Sequence, residues 1–96
     1  MQYSFEWDHQ KAKTNIRKHG VTFDRAATVF LDPKMLSIFD EEHSEREERW
    51  ITIGIDSRGT LLALCHTYRQ ETNLSVIIRI FSVRKATVCE TEQYKE

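Results

Sequence analysis

His66-Thr67-Tyr68-Arg69, followed after a short polar turn by Ile77-Ile78-Arg79-Ile80-Phe81-Ser82-Val83-Arg84-Lys85-Ala86-Thr87, is the stretch whose reading decides the fold. It reads as the end of one strand, a hairpin, a second strand and the start of a helix. Side chains alternate faces along a strand. Leu62, Leu64, His66 and Tyr68 therefore share one face, and Leu61, Ala63, Cys65, Thr67 and Arg69 share the other. In the next strand Val76, Ile78 and Ile80 share a face, while Arg79 lies with Ile77 and Phe81. An arginine flanked by apolar neighbours on a sheet costs free energy unless it is paired or lines a groove. The stretch predicts a cationic groove on one side of a sheet.

Working outward, Arg49 to Asp56 alternates Ile51, Ile53 and Ile55 with Trp50, Thr52 and Gly54, and Ser57-Arg58-Gly59 turns the chain. Met35 to Phe39 is the first strand of the main sheet. Strands joined by short turns make an antiparallel meander. Upstream, Tyr3 to Trp7 is a short strand, and Asp8 is placed to cap a helix over about residues 9–19. Ala12, Ile16 and His19 give that helix a narrow apolar stripe, and Gly20 suits the left-handed turn beyond it. Thr22 caps a second helix, with Val21 placed to staple against Ala26, and Asp32-Pro33 stops it. Thr87 and Glu90 have capping-box spacing, so the last helix begins as late as Thr87 or earlier, nearer Ser82. The predicted architecture is α+β: two N-terminal helices, a four-stranded, mainly antiparallel sheet, and a C-terminal helix.

The 96 residues suffice for one domain with one modest core, taken to span 1–96. No apolar run reaches membrane-spanning length, and the charged first helix is unlike a secretory signal. A cytoplasmic location is expected, in which Cys65 and Cys89 stay reduced. No Cys/His cluster has ligand spacing, so neither metal nor cofactor is expected. The net charge of −1 is unevenly spread. Residues 40–48 hold six acids and one arginine, and the acidic 90–96 tail adds to them, leaving the remainder basic. A basic face beside an acidic flap is compatible with phosphate binding.

Each candidate residue carries two readings. His66 is either a proton-transfer group, since imidazole titrates near neutral pH, or a half-buried structural histidine. Arg79 is the strongest candidate for stabilising phosphate charge; its plain alternative is a paired arginine. Arg84 and Lys85, with helix-start amides, are placed to hold a phosphate or to sit solvated at a helix end. Tyr68 either stacks on a base or covers the core edge. Arg69 is an RNA contact or a hairpin charge. His19, beside Lys18, complements the carbonyls ending its helix or takes part in proton transfer. A direct DNA-binding role is disfavoured, because no basic helix-turn-helix or ribbon arm is visible.

The two segments quoted at the outset resemble the BrnT family. So do Phe5-Glu6-Trp7-Asp8, Asn15-Ile16-Arg17-Lys18-His19-Gly20-Val21-Thr22-Phe23, Ala26 to Pro33, Glu42-His43-Ser44 and Glu48-Arg49-Trp50-Ile51-Thr52-Ile53-Gly54. The similarity runs in one order through nearly the whole chain. The hairpin holding Gln70 to Val76 looks longer than the family pattern, and Val83 stands where a small residue is expected. The resemblance implies the toxin half of a type II toxin–antitoxin pair, with a RelE-like fold. It implies an endoribonuclease that inhibits translation and growth and is neutralised by a BrnA-type antitoxin, touching DNA only through that partner. On this reading His66, Arg79, Tyr68 and Arg84 are catalytic, and Lys18, His19, Arg69 and Lys85 bind RNA, with mRNA a candidate target. The competing reading is a non-catalytic protein-binding module of the same fold.

Overall fold

The computed structural model describes residues 2–96. The chain runs β1 (Gln2–Glu6), α1 (His9–His19), α2 (Phe23–Thr28), β2 (Leu36–Phe39), β3 (Arg49–Ile55), β4 (Leu61–Thr72), β5 (Ser75–Lys85) and α3 (Val88–Lys95). Short 3-10 turns at Val29–Leu31 and Glu41–His43 complete it. The strands form one sheet in the order β1-β5-β4-β3-β2. The expected α+β class holds, but the sheet has five strands rather than four. The first short strand joins it, pairing Gln2 to Glu6 in parallel with Ser75 to Arg79. Its partner lies at the far end of the chain, and no local signal announces such a pairing. The helices also differ from expectation in weight. Only α1 and α3, one towards each end, reach eight residues; α2 has six and passes into a 3-10 turn.

Local chemistry explains where the helices begin and end. The Asp8 carboxylate accepts from the Gln10 amide at 2.9 Å, and Gly20 closes α1 at φ 69° with its N–H donating to the Ile16 carbonyl. Thr22 caps α2 by accepting from Arg25 N–H. Thr87 and Glu90 form the reciprocal capping box that their spacing announces, which starts α3 there.

One face of the sheet is covered. Val21, Phe23, Ala26, Val29 and Phe30, from α2 and its flanks, bury against Leu62 and Leu64 of β4 and Val76, Ile78, Ile80 and Val83 of β5. Tyr3 and Phe5 of β1 pack on Phe30 at ring-centroid distances of 5.4 and 5.5 Å. Gly54 shows how close the approach is: a Cβ there would lie 2.7 Å from a Val29 methyl. Buried Asn15 anchors α1. Its amide donates to the carbonyls of Val21 and Val83 at 2.9 and 2.8 Å, and its oxygen accepts from Val83 N–H at 3.0 Å.

The opposite face is covered only in part. The helix α3 lies against β3, and the Tyr94 hydroxyl donates to Asp32 at 2.6 Å. Asp32 also accepts the Ile55 amide; burial works to raise its pKa, but these hydrogen bonds outweigh it and hold the carboxyl below its usual range. Ile53 and Ala63 are buried on this face. Towards the other end, Arg49, Thr67 and Arg79 stand half-buried.

Candidate functional site

The register builds a polar row across four strands. Arg49 of β3 lies opposite Thr67 of β4, Thr67 opposite Arg79 of β5, and Arg79 opposite Glu6 of β1. Neighbouring strands are about 4.8 Å apart, so the two arginines flank the threonine hydroxyl within reach of one extended anion. A groove of ≈ 320 Å³ opens along this row, lined by Glu6, Glu47, Glu48, Thr67, Tyr68, Arg69, Ile77 and Arg79. An Arg79 Nη1 lies 3.6 Å from a Glu6 carboxylate oxygen, and both side chains are 42% exposed. This long, solvated pairing leaves most of the guanidinium's donors free.

His66 belongs to the other face. It lies opposite Trp50 and Ile80, is 0% exposed, and meets the Phe30 ring edge-on at 5.2 Å. Its Nδ1 is 3.1 Å from the Thr67 carbonyl, which can only accept, so that nitrogen carries a proton. Its Nε2, 2.6 Å from Thr52 Oγ1, then accepts from the threonine hydroxyl, which in turn accepts from Ser37 Oγ at 2.8 Å. Both ring nitrogens are thus occupied in a neutral tautomer, and burial pushes the imidazole pKa below its ordinary value. His66 and Arg79 therefore do not converge. The alternation of the two strands separates them, and α2 with its following turn covers the histidine.

The remaining sequence candidates divide further. Tyr68 shares the face of His66 but stands 42% exposed beyond the core; burial and a hydrogen bond with Tyr3 push its phenol up to about 12. Arg84 is committed within the protein: its Nη1 and Nη2 meet the two oxygens of Glu90 at 2.6 and 2.9 Å. That hydrogen-bonded guanidinium holds the Glu90 carboxyl down at about 2. The α3 start is similarly engaged, since Thr87 N–H donates to Glu90 and Glu90 N–H donates to Thr87. The amides and arginine expected to hold a phosphate there already serve each other. Lys85 is exposed at the end of β5. Arg69 shares the groove with Arg79. Lys18 and His19 line a second groove of ≈ 330 Å³ between α1 and β5, together with Lys11, Thr14, Phe81 and Ser82.

Sequence reading missed Arg49, Lys11 and Glu6. Arg49 has the signal that singled out Arg79, because it shares its face with Ile51 and Ile53. Its guanidinium carbon lies 4.2 Å from the centroid of the Phe81 ring, and Lys11 Nζ lies 4.8 Å from the same centroid. Cys65, across from Ile51, is half-buried, and burial raises its thiol pKa. Among the described residues, no group of three or more His, Cys, Asp or Glu side chains is placed to hold a metal ion. No described helix is long and apolar enough to cross a membrane.

A helix-backed mixed sheet thus carries two arginines, a threonine and a glutamate in one row across its open face, in a groove that further carboxylates line. The model of one protein family, described as the ribonuclease toxin BrnT of type II toxin–antitoxin systems, matches residues 7–90. The chain belongs to this BrnT family of toxins. Its fold is similar to that in the crystal structure of the Brucella abortus ribonuclease toxin BrnT, with a TM-score of 0.59 and 22% sequence identity. The likeness covers 91% of this chain and 99% of that one. No curated protein matches the chain. Membership in a type II toxin family implies an RNA target and an antitoxin partner.

Proposed function

We propose that this chain is a RelE-like endoribonuclease that cleaves RNA in the cytoplasm without a metal ion, halts translation and growth, and is neutralised by a BrnA-type antitoxin. The observation that carries the reading is the Arg49–Thr67–Arg79 row, with Arg69 beside it, on the open sheet face. Metal-free cleavage needs the 2′-hydroxyl to attack the adjacent phosphorus while cations stabilise the charge growing on the phosphate oxygens. Arg79, walled by Ile77 and supported by Arg69, supplies that charge. A base must take the 2′ proton and an acid must protonate the leaving 5′-oxygen. The titratable groups that line the groove with Arg79, besides Arg69, are the carboxylates of Glu6, Glu47 and Glu48 and the phenol of Tyr68. Glu6, adjacent to the guanidinium, is the best placed to accept the proton. His66 then has a structural role, its ring holding the Thr67 carbonyl from inside the sheet.

Purified, antitoxin-free protein should cleave single-stranded RNA in the presence of a chelator, leaving a 2′,3′-cyclic phosphate and a 5′-hydroxyl. Intact RNA under these conditions favours a second reading, a non-catalytic protein-binding module. One observation supports that alternative: three carboxylates crowd the arginine groove, which suits exchange with a charged peptide. Co-expression with the neighbouring gene's product should yield a complex and restore growth on either reading. Cleavage separates the two.

A further inference from the structure

We propose that Lys11 and Arg49, gathered on the Phe81 ring, form a phosphate-binding subsite for single-stranded RNA, separate from the Arg79 groove and leading into it. The inference deepens the ribonuclease reading and rests on it. It starts from an irregularity in the β4–β5 ladder. Cys65 faces Ser82 and His66 faces Ile80, so Phe81 is an extra residue with no partner opposite. Such a bulge interrupts the ladder and re-aims a side chain, and it persists where the new direction is useful. Here the ring emerges between α1 and β3, with Lys11 Nζ 4.8 Å and the Arg49 guanidinium carbon 4.2 Å from its centroid.

A ring attracts a cation through its quadrupole, worth roughly 0.5–1 kcal/mol at an exposed site. Two cations on one ring also repel each other. Arg49 is partly balanced by Glu47 at 3.4 Å, while Lys11 makes no ion pair among the described residues. A shared anion relieves that repulsion, and a phosphate is the anion that RNA supplies. The adjoining α1–β5 groove extends the site with Lys18, His19, Thr14 and Ser82, and no carboxylate lines it. Arg49 also belongs to the polar row, about two strand spacings, roughly 10 Å, from Arg79. One strand of RNA can thus be held at Lys11 and Arg49 while a neighbouring linkage lies at Arg79.

The test is equilibrium binding of a fluorescent 2′-O-methyl RNA oligonucleotide, which cannot be cleaved by 2′ attack, across a salt series. Lys11→Gln should weaken binding about tenfold at low salt and flatten the log K against log salt slope by about 0.7, the value of one lost phosphate contact on a single strand. Phe81→Leu keeps apolar bulk but loses the quadrupole, and should weaken binding three- to tenfold at an unchanged melting temperature. Lys95→Gln, on exposed α3, should match the wild type. Wild-type affinity and slope in Lys11→Gln overturn the subsite, whatever happens to the folding of Phe81→Leu. Unaltered RNA binding with lost antitoxin capture overturns it too, and gives the cluster to the protein partner. A wild type that binds but never cleaves RNA refutes the ribonuclease reading and leaves the subsite standing; one that does not bind RNA refutes both.

Discussion

The two faces of the β4–β5 ladder are made by alternate residues of the same strands, and they do different work. On the covered face, His66 sits among Leu64, Ile80 and Phe30 with both nitrogens satisfied. On the open face, at the next rung of the ladder, Thr67 and Arg79 meet solvent beside Arg69. A titratable side chain is not thereby a reactive one. The imidazole is stabilising because its proton is fixed, whereas the guanidinium is available because most of its donors are uncommitted. The open face is itself divided, since Arg84 is committed to Glu90 and Arg79 is not.

The largest expected effect tests the open face. Arg79→Ala should slow single-turnover RNA cleavage on the order of 10²-fold or more. Its melting temperature should stay near the wild-type value, because the side chain is 42% exposed. Arg58→Ala, in the exposed β3–β4 turn, should cleave normally. Full activity in Arg79→Ala would remove the chemistry from this face.

Next, His66→Gln tests the covered face. Losing one of its buried hydrogen bonds should cost about 1–3 kcal/mol in urea unfolding, with cleavage well below the melting temperature little changed. The pH dependence follows from the lowered folded pKa. The unfolded chain takes up the proton first, so the contribution is complete above the ordinary 6.5 and is lost as pH falls through 6.5 towards the folded value. The variant should lack that slope. A well-folded His66→Gln protein that cleaves slowly would break the comparison, because the buried ring would then be moving protons.

The smallest effect sharpens the division within the open face. Glu90→Gln should leave cleavage unaltered and cost about 1 kcal/mol, since solvent screens an ion pair whose arginine is 40% exposed. With the folded carboxyl at about 2 against an ordinary 4.5, the stabilisation is complete above 4.5 and is lost as pH falls from there towards 2. Acid unfolding monitored by fluorescence should show a shallower limb in the variant.

Much of this organisation is legible in the sequence. Caps are local chemistry, so Asp8, Gly20, Thr22 and the Thr87–Glu90 box announce their helices within a few residues. Alternation sorts each strand's residues into two faces, but only the register between β4 and β5 puts His66 and Arg79 on opposite ones. Alternation did not say which face would be covered, because Ile77 and Phe81 flank Arg79 as plausibly as Leu62 and Leu64 precede His66. That choice is made by Phe30 and Val29, which arrive from elsewhere in the chain. The β1–β5 pairing and the bulge at Phe81 are statements about register between segments, and neither strand holds them alone. Arg84 misled for a related reason: Glu90 was visible as a capping residue, but its second use, holding an arginine on the preceding strand, depends on how α3 folds back.

The strand order carries a consequence for the chain's own manufacture. The central position between β1 and β4 belongs to β5, the last strand to be synthesised, and β5 supplies both Arg79 and Phe81. Until residues 75–85 leave the ribosome, β1 has no neighbour and the hairpin has one arm. The nascent polypeptide therefore has no completed Arg49–Thr67–Arg79 row until β5 joins the sheet. Assembly by such distant pairing is slow compared with local folding, so the open face is completed by the slowest step, after the caps and the β3–β4 turn have formed.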